Sequence, residues 1–216
     1  ATAALPRPRR AAALLAADRA LAAAAPAVGT DDVAADSATA AAIARLGARY
    51  VFSPIGGAFV YGGNWLRQAR ALDPRGAAGE LALLVQLETG FAEPLCDGPD
   101  SAGENFRVVR AEGERYLAAG GHDDASRSRV ELAVADADRD LVALASGASE
   151  YADSASYLAG SPAARRRAIG HYRRFLALSR ATGQSATPRA RRAWLEAWRL
   201  LAGLPPAGLR YYCVYD

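Results

Sequence analysis

Three aspartates are the most suggestive group for chemistry in this chain: Asp136, Asp138 and Asp140. They alternate along one predicted helix, so Asp136 and Asp140 share a face while Asp138 points elsewhere. Carboxylates buried side by side can divide acid and base roles. More often they form exposed ion pairs with basic helices. The arginines that could supply this basic surface are Arg165, Arg166, Arg167, Arg173 and Arg174. We favour this structural role and predict no catalytic residue.

The residues that could bind a metal are few and poorly spaced. The only histidines are His122 and His171, and zinc sites need three or four ligands at fixed spacing. The acidic segment with Asp97, Asp100 and Glu104 offers oxygen ligands, but it lacks the alternating spacing of a calcium loop. We therefore predict no metal site and no cofactor.

Two cysteines, Cys96 and Cys213, lie far apart in predicted loop positions, which favours a disulfide between them. A disulfide predicts a periplasmic or secreted protein, including a processed lipoprotein, whereas two free thiols would fit the cytoplasm. The chain begins with Ala1 instead of Met. We expect a processed precursor or a trimmed chain, and either would hide a signal peptide.

Composition excludes some classes of function. All 26 basic residues are arginine, and the net charge is only +3. Because acidic residues are interspersed with the arginines, the chain lacks the one-sided field typical of nucleic-acid binding. No stretch is long and apolar enough for a transmembrane helix. The abundant alanine predicts helices that approach each other closely.

Apolar residues recur at helical spacing throughout, which predicts a single all-α domain over 1–216. The predicted helices cover about 7–25, 33–50, 58–72, 77–89, 106–119, 126–146 and a final pair between 163 and 201. The helix within 1–30 is expected to pack loosely, and 204–216 forms a tail. Ser126 or Ser128 is expected to cap the sixth helix. Two long loop insertions are predicted, at 90–103 and 147–161, with Pro162 starting the final pair.

The final pair shows the clearest amphipathic pattern. Two stripes are expected to be buried: Ala164, Ala168, Tyr172, Phe175 and Leu176, and then Ala190, Trp194, Ala197, Trp198 and Leu201. The tail carries Tyr211, Tyr212 and Tyr215. These tyrosines are expected to fold back over the tryptophans, although aromatic residues of this kind could instead anchor a partner peptide.

The segment 62–74 resembles the second helix of a tetratricopeptide repeat. Gly62, Leu66, Ala69 and Pro74 reproduce the family's small, large, Ala and Pro positions, and 168–178 is similar, with Phe175 in place of the family's Ala. The resemblance implies a curved array of antiparallel helix pairs that recognises proteins without catalysis. A helical bundle without repeat ancestry is the alternative fold.

These patterns predict a non-enzymatic helical-repeat protein of the bacterial cell envelope that binds another protein or a peptide in a groove. The expected groove residues are Asn64, Gln68, Arg129, Asp136 and Asp140. The alternative is a helical periplasmic binding protein for a small apolar ligand, with the 81–87 helix, Tyr61 and Trp65 lining its pocket. An enzyme would require buried carboxylates in a cleft.

Overall fold

A computed structural model describes residues 33–51, 58–90, 99–145 and 154–206, together with Ala16. Apart from Ala16, these residues form seven α-helices and no β-strand, which confirms the all-α class. The helices are α1 (Val33–Val51), α2 (Ala58–Leu72), α3 (Ala77–Glu88), α4 (Pro99–Ala119), α5 (Asp124–Ala145), α6 (Ser154–Ala181) and α7 (Pro188–Leu201). Apart from Ala16, the predicted helix over 7–25 lies outside the described residues, as does the tail from residue 207.

Two predicted loop insertions are shorter than the sequence suggested. Helix α4 already begins at Pro99, because a proline with its fixed φ suits the first turn of a helix. Helix α6 begins at Ser154 and runs through Pro162, so the expectation that Pro162 starts a helix is wrong. An internal proline removes one helical hydrogen bond, and here the helix continues beyond it to Ala181.

The cap of α5 also differs from the prediction. Asp123, rather than Ser126 or Ser128, caps the N-terminus of this helix. Its carboxylate accepts hydrogen bonds from the Ser126 backbone N–H at 2.7 Å and from the Ser126 hydroxyl at 3.1 Å. These bonds favour the ionised form and lower the pKa of Asp123.

Helix α3 joins two hydrophobic clusters. Val85 and Ala82 pack with α1 and α2 in an N-terminal cluster that includes Leu66. Leu84 and Leu87 belong to a C-terminal cluster with residues of α4 to α7. Since α3 contributes opposite faces to both clusters, its predicted high burial is confirmed.

Helices α1 and α2 approach each other closely at Gly47 and Gly62. A Cβ atom added to Gly62 would lie 2.5 Å from the Val51 backbone nitrogen and 2.9 Å from the Gly47 carbonyl oxygen. Both of those atoms are backbone, so they cannot rotate away from an added methyl group. Gly62 is therefore required by the close approach of the two helices.

Helix α5 lies at the centre of the C-terminal cluster. Every residue from Val130 to Ala145 is buried, including the charged ones. Helices α3, α4 and α6 pack around it, and side chains of α7 reach it as well. An amphipathic surface helix would keep its charges in water, so α5 needs partners for them.

We predict that Gly62→Ala lowers the free energy of unfolding by about 1–3 kcal/mol, because the new methyl group overlaps backbone atoms of α1. The matched control is Gly170→Ala in α6, where the nearest atom to the added Cβ is a flexible Arg174 nitrogen at 3.5 Å. That control should be neutral or stabilising by up to about 1 kcal/mol, since alanine favours helix over glycine. Urea unfolding followed by circular dichroism measures both. Equal effects of the two substitutions would contradict the close packing of α1 on α2.

Candidate functional site

Helix α7 is well defined at both ends. The Thr187 hydroxyl accepts a hydrogen bond from the Ala190 backbone N–H at 3.2 Å, and Pro188 occupies the first helical position. Beyond Leu201 the chain turns at Gly203, whose φ of 73° is the left-handed conformation that glycine adopts readily. The helix is therefore a short, capped element.

Polar contacts fix how α7 is rotated. Arg192 donates two hydrogen bonds to the Asp136 carboxylate of α5, at 2.7 and 2.9 Å. Glu196, one turn further on, accepts from Arg139 of α5 at 3.2 Å. Because residues 192 and 196 are held towards α5, the opposite side of α7 must face outwards.

The buried side of α7 consists of small and aliphatic residues, and its large apolar residues lie outside. Ala190, Ala193, Ala197 and Leu200 are buried together with Glu196. In contrast, Trp194 is 60% exposed, Leu195 46%, Trp198 50% and Leu201 56%. We call these four exposed residues the α7 face.

The α7 face corrects one prediction. The expected burial of Trp194, Trp198 and Leu201 is wrong, whereas the expected burial of Ala190 and Ala197 is confirmed. The first stripe of the final pair, on α6, is also confirmed, since Ala164, Ala168, Tyr172 and Phe175 are buried and Leu176 is partly buried against the same cluster. Burial of the second stripe was predicted wrongly because positions 193, 196, 197 and 200 form another stripe with the spacing of a buried face. The presence of Glu196 made this other stripe look polar.

Helix α5 carries a buried charge network that the α7 face depends on. Its members are Glu131, Asp136, Asp138, Arg139 and Asp140, all at most 5% exposed. The prediction that these aspartates pair with arginines of neighbouring helices is correct for Asp138, which contacts Arg167 of α6 at 2.7 to 3.2 Å. The prediction that such pairs are exposed is wrong, because α4, α6 and α7 cover the carboxylates.

Each acidic member of the network has an identified partner. Asp136 accepts from Arg192 and also from the Tyr172 hydroxyl at 2.7 Å. Asp140 is paired with Arg139, the arginine that also reaches Glu196. These contacts place carboxylate and guanidinium groups in direct pairs, which lowers the cost of burying either one.

Burial shifts the pKa values of ionisable groups in and beside the network. Desolvation raises the pKa of Asp138, although the hydrogen bonds and positive charge of Arg167 oppose this shift. Desolvation likewise raises the pKa of the Tyr172 hydroxyl, so this group acts as a hydrogen-bond donor to Asp136. The network is therefore built for pairing inside the protein.

His171 is buried within α6, and the interpretation that it lies on an arginine-rich flank is incomplete. Its Nδ1 atom lies 2.6 Å from Glu131 Oε2. Arg174 donates from Nε to both oxygens of the same carboxylate, at 2.9 and 3.0 Å. A histidine and an arginine of one helix thus hold one glutamate of α5.

The five predicted groove residues are not brought together as one surface. Asp136 and Asp140 are fully buried, so neither can line an open groove in this packed structure. Arg129 forms a two-bond ion pair with Glu88 at 2.8 and 2.9 Å, and this hydrogen bonding raises its pKa. Asn64 is half-buried, and Gln68 is exposed. Cys96 and Cys213 lie outside the described residues, so their pairing stays a prediction.

The residues expected to line an apolar pocket pack differently. Trp65 is buried against Tyr50 in an edge-to-face contact, with ring centroids 4.6 Å apart and an interplanar angle of 72°. The side chain of Tyr61 lies outside the described residues. A pocket of about 320 Å³ also lies on α2, but two of its four lining residues are charged: it is lined by Arg67, Arg70, Ala71 and Pro74.

Sequence reasoning missed Glu131, Arg139, Arg192 and Glu196. The signal that could have revealed Glu196 is its position in the stripe 193, 196, 197 and 200, which has the spacing of a buried face. The other three are charged residues in segments rich in arginine and acidic residues, where nothing in the pattern distinguishes a buried charge from an exposed one.

No family model, curated protein or solved structure matches this chain. Among the described helices, none combines the length and the apolar character needed to cross a membrane.

We predict that two of the three tryptophans are accessible to solvent. Acrylamide should quench most of the fluorescence of the wild type, because Trp194 and Trp198 are half-exposed. In the double variant Trp194→Phe/Trp198→Phe only Trp65 remains, and its emission should be blue-shifted and at least threefold less quenched. Equal quenching of the two proteins would show that the α7 face is covered in solution.

Proposed function

We propose that the protein is a non-enzymatic helical binding protein whose α7 face recognises an apolar helical segment of another protein. The observation that carries this proposal is the exposure of Trp194, Leu195, Trp198 and Leu201 on one rigid helix. The proposal keeps the expected class of function and moves the binding surface from the predicted groove to α7.

The composition of the α7 face supports binding. Tryptophans carry a large share of the energy in many protein interfaces, since one side chain removes much apolar surface from water. Two tryptophans one turn apart with a leucine at the following turn form a ridge at positions 194, 198 and 201. Ridges at this spacing are the units that pack between helices, so a helix is the occupant that the face fits best.

The anchoring of α7 supports binding as well. The contacts of Arg192 with Asp136 and of Glu196 with Arg139 hold the helix in one rotational position. Arg165 of α6 also donates to the Leu200 carbonyl oxygen at 2.8 Å. A face held rigidly before binding loses little conformational entropy when the partner arrives, which favours affinity.

Charge around the α7 face indicates the chemistry of the partner. Arg191 is exposed on this side of the helix, one turn before Trp194 and Leu195. A carboxylate of a partner would pair with this guanidinium group at the rim and speed up association. We therefore commit to an amphipathic helix with apolar residues at helical spacing, flanked by Asp or Glu.

The cell envelope is the compartment that we propose for this function. Its support is the expected pairing of Cys96 with Cys213, because disulfides persist in oxidising compartments.

The proposal is tested by selecting peptides from a random displayed library on the full-length wild type. Enriched peptides should carry apolar residues three and four positions apart next to acidic ones. Synthetic copies should bind the double variant Trp194→Ala/Trp198→Ala at least tenfold more weakly. The control Val108→Ala, which removes an exposed apolar side chain from α4, should leave binding within twofold.

Three outcomes would contradict the proposal. Peptides that bind the wild type and the tryptophan variant equally would place recognition elsewhere. Sedimentation that shows a dimer in the wild type and a monomer in the tryptophan variant would make the α7 face a contact between two copies. Binding that appears only after residues 207–216 are removed would show that the chain's own tail occupies the face.

A further inference from the structure

We infer that Glu114, Asp138 and His171 form a binding site for a divalent transition-metal ion. These side chains come from three different helices, α4, α5 and α6. One potential ligand atom from each lies within 4.8 Å of the other two. The inference is independent of the proposed function of the α7 face.

The separation of the three atoms suits a metal ion. Three points within 4.8 Å of one another have a common centre about 2.8 Å or less from each, whereas metal bonds to nitrogen and oxygen are about 2.0–2.2 Å long. Each atom therefore has to move inwards by less than about 1 Å, a shift that small side-chain rotations provide.

The imidazole of His171 is held at one of its two nitrogens. Its Nδ1 atom lies 2.6 Å from Glu131 Oε2 and 2.8 Å from Arg174 Nη2, so we assign the ion to Nε2. A histidine ligand usually donates its other ring N–H to a carboxylate, which fixes the ring and makes the binding nitrogen more basic. Arg174 holds Glu131 in turn through two hydrogen bonds. Glu131 and Arg174 thus hold the ring in place, and binding of an ion at Nε2 requires the tautomer in which Nδ1–H donates to Glu131 instead of accepting from Arg174.

The two carboxylates play different roles. Asp138 is fully buried and held by Arg167, yet a carboxylate offers about four lone-pair positions, so an ion can share it with the guanidinium group. Glu114 is not buried, and its charge interacts with the guanidinium group of Arg167. Because it is the less buried of the two carboxylates, Glu114 is the one that can turn more easily towards an ion.

The donor set selects the kind of ion. One imidazole nitrogen with two carboxylate oxygens suits Zn²⁺, Co²⁺ or Mn²⁺, while Mg²⁺ and Ca²⁺ prefer oxygen ligands alone. Arg167 competes with the ion for Asp138, so we expect weaker binding than in a structural zinc site with four protein ligands. Three protein ligands leave at least one position for water.

The site is tested by titrating the metal-free, full-length protein with Co²⁺ and, separately, with Zn²⁺. We expect one Co²⁺ per chain with the visible absorption of nitrogen and oxygen ligands, and a higher Tm with Zn²⁺. The decisive variant is Glu114→Gln, which should fold normally and bind Co²⁺ at least tenfold more weakly. Its control is Glu112→Gln, two residues away on the same helix, where the glutamate pairs with Arg70 and Arg115 instead. This control removes the same charge and should leave affinity within twofold.

Several results would overturn the inference. The absence of one-to-one binding by the wild type would do so, as would an equal loss in Glu112→Gln and Glu114→Gln, because the effect would then be general electrostatics. Loss of binding in His122→Asn would place the ion at the other histidine. A near-ultraviolet thiolate-to-cobalt band would assign the binding to cysteine.

Discussion

The need to pair every charge on the buried helix α5 organises the C-terminal half of this protein. Burying an unpaired carboxylate inside a protein costs far more free energy than a hydrogen bond contributes, so each buried carboxylate requires a cation at a fixed place. In the described residues Asp138 is matched by Arg167 and Glu131 by Arg174, both from α6, and Asp136 by Arg192 from α7. These pairs determine where α6 and α7 lie and how they are rotated.

The rotation of α7 is the step that connects this constraint to function. Arg192 and Glu196 occupy the side of the helix that faces α5, together with the small residues Ala193 and Ala197. The tryptophans are left on the outside, where they cannot contribute to the core. The buried ionic network therefore fixes the rotation of α7 that leaves the tryptophans on the surface. This apolar surface is the feature that supports the proposed binding function.

The bounds of helices that depend on local signals could be predicted from the sequence. The orientation of a helix could not, because it depends on pairing between residues far apart in the chain. The bounds of α2 and α3 followed from Asp73-Pro74 and from continuous apolar residues. The outward side of α7 could not be predicted, because a prediction from the spacing of hydrophobic residues places Trp194 in the core and Glu196 on the surface. The pairing of Glu196 with Arg139 and of Arg192 with Asp136 reverses that order, and these pairs join residues 57 and 56 positions apart. The grouping of Glu114, Asp138 and His171 was hidden for the same reason, since three separate helices bring them together.

A double-mutant cycle between Asp136 and Arg192 tests this account most directly. The variants Asp136→Asn, Arg192→Gln and their combination are compared with the wild type by the free energy of unfolding. The account predicts that Arg192→Gln costs about 3 kcal/mol or more, and that the double variant costs at least about 1 kcal/mol less than the sum of the single ones. Effects that add within about 0.5 kcal/mol would show that the two residues are independent and would contradict the central role of the pairing.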